Sequence, residues 1–215
     1  MKRFIFFAIS LSVSLSLFAQ NKLLNLEDLF RTRELYAENL SQLQWIPNTY
    51  DFVYVKNNLL VKGTLHQTEA DQFVSLNELN DALINAGFSS LKSFPYILHW
   101  TSEHGFYFRW QEKLLHYAID KKNIDKQISI NKEAENIEID FKHAQLAYTI
   151  QNNLYVVEEN ASPFQINPTA PEDVKFGHIV HRNEFGIENG SFWSPNGNYL
   201  AFYRMDESMV ADYPL

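Results

Sequence analysis

The stretch His181–Leu215 reads HRNEFGIENGSFWSPNGNYLAFYRMDESMVADYPL. Trp193-Ser194-Pro195-Asn196-Gly197 has turn chemistry, because Pro presets φ and Gly tolerates positive φ. The apolar Leu200-Ala201-Phe202 that follows has strand character. The same grammar occurs earlier in the chain. Leu146-Ala147-Tyr148 precedes Leu200-Ala201-Phe202 by 54 residues. Each triplet follows a polar turn, Lys142-His143-Ala144-Gln145 in one case and Pro195-Asn196-Gly197-Asn198 in the other. A period near 50 falls in the range of β-propeller blades built from four strands each.

Moving outward, short strands are expected at Ile97–Thr101, Gly105–Trp110, Leu114–Ile119, Ile137–Phe141, Leu146–Ile150, Leu154–Val157, Gly190–Trp193 and Leu200–Arg204. Such spacing suits a sandwich, barrel or propeller, and the internal repeat selects the propeller. Nearer the N-terminus, Trp45-Ile46-Pro47-Asn48 reads as a strand end and turn. Tyr50–Val55 then joins Leu59-Leu60-Val61 through an Asn57-Asn58 hairpin turn. One helix is predicted from Ser75 to Gly87. Ser75 and Glu78 have capping-box spacing, Leu76, Leu79 and Leu83 share a face, and Gly87 stands where a left-handed cap belongs. Asn25–Phe30 reads as a short helical lead-in.

Residues 1–19 have the pattern of a secretory signal peptide. Lys2 and Arg3 are followed by an apolar run to Leu17, and Ala19 offers a small residue for cleavage. The run is short for a membrane span, which takes roughly 20 residues. The expectation is an exported chain, periplasmic or extracellular, with no membrane association after cleavage. Residues 20–215 would then be one incomplete propeller domain. The chain has no Cys, so an exported protein of this sequence relies on core burial rather than disulfides. A net charge of −8 argues against nucleic-acid binding. Aromatic residues reach 15%, while Gly and Pro number 7 each, which suits an aromatic-rich β protein.

Catalytic motifs are lacking. Gly87-Phe88-Ser89-Ser90-Leu91 lacks the second Gly of a nucleophile elbow. No zinc-binding His-Glu-x-x-His and no phosphate-binding Gly-rich loop occurs, so no metal and no cofactor are expected. The pair His178 and His181 lies in a Gly-containing, loop-like stretch. Two charged residues are candidates for binding. Glu184 precedes Phe185-Gly186, where Gly permits an unusual turn; it could meet a cationic amine, or it could be a solvated loop carboxylate. Arg109 lies among Phe106, Tyr107, Phe108 and Trp110; it could clamp a carbonyl or carboxylate, or face outward along its aromatic neighbours.

Glu184-Phe185-Gly186, Phe192–Gly197, Leu200-Ala201-Phe202 and Asp206-Glu207-Ser208 together resemble the N-terminal propeller of the dipeptidyl peptidase IV family. Leu26–Phe30, Trp45-Ile46-Pro47 and Asn152–Val156 add to the likeness. These are serine exopeptidases of the prolyl oligopeptidase clan. The resemblance implies an eight-bladed propeller over an α/β-hydrolase domain with a Ser-Asp-His triad, releasing dipeptides from a free N-terminus. It further implies that two adjacent propeller carboxylates bind the substrate ammonium and that an Arg contacts its carbonyl. Glu184 matches the second carboxylate. Asn183 stands at the first, so one negative charge is missing. Arg109 is placed at the family Arg by a gapless match of its strand. Homodimers are common in the family.

The expectation is therefore an all-β partial propeller, about three four-stranded blades of a larger ring, with one short helix. The chain reads as the N-terminal piece of an exported serine-type dipeptidyl peptidase, inactive alone, with a peptide bearing a free N-terminus as its ligand. A stand-alone propeller-like peptide- or protein-binding module, or the product of a broken gene, are the alternatives.

Overall fold

The structure is a computed structural model and describes Leu26, residues 39–65, 70–180 and 184–211. The predicted signal peptide, Asn183, and the lead-in apart from a helical Leu26 lie outside the described residues. The chain divides into Met1–Asn39 and Leu40–Leu215, and the elements below belong to the second unit.

Three four-stranded antiparallel sheets follow one another, each in simple sequence order. The first holds β1 (Ser41–Trp45), β2 (Asp51–Lys56), β3 (Leu59–Thr64) and β4 (Asp71–Ser75). The second holds β5 (Ile97–Ser102), β6 (Gly105–Trp110), β7 (Lys113–Ala118) and β8 (Asn123–Ser129). The third holds β9 (Glu135–Asp140), β10 (Gln145–Ile150), β11 (Asn153–Glu158) and β12 (Phe164–Gln165). Two short ladders complete the unit: β14 (Ser191–Trp193) with β15 (Leu200–Phe202), and β13 (Val174–Phe176) with β16 (Arg204–Asp206). The expected three four-stranded units are thus present.

Local chemistry explains the elements. Asn57 and Asn58 both take positive φ, at 52° and 61°, closing the tight turn that pairs Lys56 with Leu59. Helix α1 (Leu76–Asn85) starts at the predicted capping box: the Ser75 hydroxyl accepts from Glu78 N, and Glu78 Oε2 accepts from Ser75 N at 3.1 Å. Lys122 Nζ donates to the other Glu78 oxygen at 2.7 Å. The Lys122 bond first, and the Ser75 N–H second, hold the Glu78 carboxyl below its ordinary range. Gly87, at φ +84°, follows the helix as the sequence predicts.

One strand differs from expectation. Leu200–Arg204 is not continuous, because the chain changes partner at Tyr203. Tyr203 N donates to Gly190 O and its carbonyl accepts from Gly177 N, which hands the chain from β14 to β13.

Three apolar layers join the sheets. Val53, Leu60, Leu79, Leu83, Trp100, Phe106 and Phe108 pack the first sheet and α1 against the second. Tyr107, Leu114, Leu146, Tyr148 and Val157 pack the second against the third. Ala147, Leu154 and Val156 meet Trp193 and Leu200 of the β14–β15 hairpin. Between β1 and β5 the first junction also carries polar contacts. Gln42 Nε2 donates to Pro95 O and Gln44 Nε2 to Ile97 O, both at 3.0 Å, while Gln42 Oε1 accepts from Ile97 N.

Candidate functional site

The 54-residue repeat survives in three dimensions. In the third sheet Leu146 pairs with Ile139 and Ala147 with Glu138. In the hairpin Leu200 pairs with Trp193 and Ala201 with Phe192, each position shifted by 54 residues. The two polar turns touch. Gln145 Nε2 donates to Gly197 O at 2.7 Å, and Lys142 Nζ reaches Pro195 O at 3.4 Å. Asp140 anchors its turn by accepting from His143 Nδ1 at 2.7 Å and Gln145 Nε2 at 3.1 Å. Burial pushes the Asp140 carboxyl up, but the bonds from Gln145 and His143 outweigh it and leave the group below its ordinary range.

Between the outer part of the third sheet and the hairpin lies an open groove of about 590 Å³. Val156, Phe164 and Ile166 form one wall, Trp193 and Leu200 the other, and Glu158 and Glu159 give it a negative side.

Glu184 lies on the segment that leads into the hairpin. Glu184–Gly186 forms a single 3₁₀ turn in which Phe185 takes φ +57°, a left-handed backbone that non-Gly residues adopt at a cost. Ile187 N donates to Glu184 O at 3.1 Å and closes the turn. Glu184 is exposed, Phe185 is 90% exposed, and among the described residues the Glu184 carboxylate has no hydrogen-bond or ion-pair partner.

The downstream end of this segment is fixed. A Cβ on Gly190 would come within 2.3 Å of Gly177 O and the His178 carbonyl carbon, so only Gly fits there. Asn189 Nδ2 donates to Glu138 Oε2 at 2.7 Å, and Trp193 Nε1 lies 3.4 Å from Glu138 O. Burial raises the Glu138 carboxyl above its ordinary range, against the pull of the Asn189 bond.

Arg109 is on β6, opposite Leu114, exposed between buried Phe108 and half-buried Trp110. No ion pair or hydrogen bond joins it to Glu184. Sequence reasoning missed Glu138, Asn189 and Gly190. Glu138 alternates with Ile137 and Ile139, which pack toward the second sheet, so it faces the hairpin; that alternation was the available signal. Among the described residues no three His, Asp or Glu side chains gather as a metal site would require, and no helix is long and apolar enough to cross a membrane.

Residues 95–215, more than half of the chain, match the family model for the dipeptidyl peptidase IV (DPP IV) N-terminal region. The chain belongs to the dipeptidyl peptidase IV family. The Bacteroides ovatus protein assigned as a dipeptidyl aminopeptidase IV has a crystal structure similar to 84% of this chain at 34% identity, with a TM-score of 0.72. A Talaromyces marneffei protein assigned as dipeptidyl-aminopeptidase B is 31% identical over 74 residues, 33% of this chain. Porphyromonas gingivalis dipeptidyl peptidase 4 shares the fold at 16% identity and a TM-score of 0.51, over 90% of this chain and 29% of that one. The chain spans 24% of the Bacteroides protein and 8% of the Talaromyces protein. Its sheets are thus successive blades of the dipeptidyl peptidase IV N-terminal β-propeller.

Proposed function

We propose that this segment supplies early blades to an exported serine-type dipeptidyl peptidase and that Glu184 receives the α-ammonium of a peptide with a free N-terminus. The observation that carries the reading is the Glu184 turn, a strained, exposed 3₁₀ turn presenting a carboxylate that has no partner among the described residues, in a segment that matches the family. With Asn at position 183 the clamp has a single negative charge, so it distinguishes a charged terminus from a neutral mid-chain peptide less sharply than two carboxylates would. Arg109 is assigned to the substrate carbonyl. Hydrolysis belongs to an α/β-hydrolase domain, and dimerisation to other parts of the parent protein. Export is supported by the charged, apolar and small-residue pattern of residues 1–19.

The test is titration of this chain with glycyl-proline amide and with its N-acetyl derivative, followed by NMR. An exposed ion pair is worth up to about 1 kcal/mol, so Glu184→Gln weakens binding of the free amine about two- to fivefold. The same change leaves the acetylated probe unaffected. Equal binding of the free amine by the wild type and Glu184→Gln would refute the assignment. The purified chain is also expected to turn over no dipeptide-naphthylamide.

A further inference from the structure

The turn that presents Glu184 is short, strained and exposed. The described contacts that tie it to the rest of the fold and lie nearest to it in sequence are on its downstream side. Three contacts converge there within two residues. Tyr203 N donates to Gly190 O at 2.9 Å, the Gly190 backbone lies hard against Gly177 and His178, and Asn189 Nδ2 donates to Glu138 Oε2 at 2.7 Å. The first two fix the strand entry and are backbone contacts. The third is a side-chain tether, and it is the one closest in sequence to the turn.

The geometry points to Glu138 as a positioning residue for the ammonium site: its carboxylate, on β9, the first strand of the third blade, holds Asn189 and so sets where the Glu184 turn stands relative to that blade. This inference rests on the reading of Glu184 given above. Glu138 is suited to the task. It faces the hairpin rather than the second sheet, its strand is held by β10 across Ala147, and its own carbonyl lies 3.4 Å from Trp193 Nε1. Its side chain is half-buried, while the Asn189 amide that it holds is exposed. Position 138 also precedes Phe192 by 54 residues, so the repeat places an aromatic at the matching site of the hairpin. A carboxylate there is a departure from the repeat, and its described side-chain partner is the segment that carries Glu184.

The experiment uses the whole chain, with amide hydrogen exchange read at Ile187, whose N–H closes the Glu184 turn, and at Tyr148 in the neighbouring core strand. Glu138→Ala speeds exchange at Ile187 about tenfold and leaves Tyr148 unchanged. Glu138→Gln, which keeps an oxygen for Asn189 Nδ2, restores slow exchange, and Asn189→Ala reproduces Glu138→Ala without adding to it. In the glycyl-proline amide titration, Glu138→Ala weakens binding as much as Glu184→Gln, whereas Glu138→Gln binds as wild type does. Unchanged exchange at Ile187 in Glu138→Ala overturns the positioning role whatever the ligand does. A Glu138→Gln variant that exchanges slowly but binds as weakly as Glu138→Ala also overturns it, since the charge would then touch the ligand directly. If exchange responds as expected while Glu184→Gln leaves binding unchanged, the ammonium reading fails and the tether stands.

Discussion

The third sheet and the hairpin after it start from the same local sequence and end in different environments. Leu146, Ala147 and Tyr148 are wholly buried, while Ala201 and Phe202 are exposed and Leu200 is half-buried. Register is the same at Leu146 and Ala147 as at Leu200 and Ala201, so at these positions register does not account for the difference. β10 has a strand on each edge and apolar layers on both faces. β15 pairs with β14 on one edge and packs on one face against Ala147, Leu154 and Val156. The same three-residue phrase therefore contributes core energy in one place and an adhesive edge in the other. Sequence sets the strand, and neighbours set what the strand is worth.

The largest expected effect tests that contrast at its buried end. Leu146→Ala costs about 2–5 kcal/mol in urea unfolding, the range for a fully buried Leu that leaves a cavity. Next comes the entry to the hairpin, where Gly190 lies against Gly177 and His178. Gly190→Ala inserts a methyl group against backbone atoms that cannot rotate away, and it costs about 1–3 kcal/mol by the same measurement. A smaller effect lies at the touching turns. Asp140→Ala removes the acceptor for His143 and Gln145 and loses on the order of 1–2 kcal/mol at neutral pH. This term has a defined pH sign. The Asp140 carboxyl titrates lower in the folded chain than its ordinary value of 3.8, so its contribution is complete above that value and fades as pH falls below it. The stability gap between wild type and Asp140→Asn should close as the pH is lowered through that range. The smallest effect is at the exposed copy: Leu200→Ala costs about 1 kcal/mol or less. If Leu200→Ala and Leu146→Ala cost the same, the contrast between the copies is wrong.

Much of the fold was legible because its central strands advertise themselves. β6 is an aromatic run and β7 an apolar one, and the Ser75–Glu78 box announces α1 by side-chain chemistry alone. The edge strands were legible in part. β5 and β9 were read, and β1 was read at its end, Trp45, whereas β8 was missed, because it carries Asp125 and Lys126 between Ile124 and Ile128 and has no regular apolar alternation. The break at Tyr203 was hidden for a related reason: it depends on Gly177 and Gly190, residues brought there by the fold. In the site, Gly186 signalled a turn and pointed to Glu184. Glu138 gave only its alternation with Ile137 and Ile139, and a single Glu between two Ile residues becomes meaningful when the facing loop is known.

The glutamine stitches between β1 and β5 carry a mechanical consequence. A ladder of backbone bonds opens cooperatively, but amide side chains that reach across to a neighbouring main chain yield singly, each exchangeable for water without disturbing the strand that bears it. The first two blades are accordingly joined by a continuous apolar layer and, between β1 and β5, by single amide stitches that can come undone one at a time while each blade keeps its own weave.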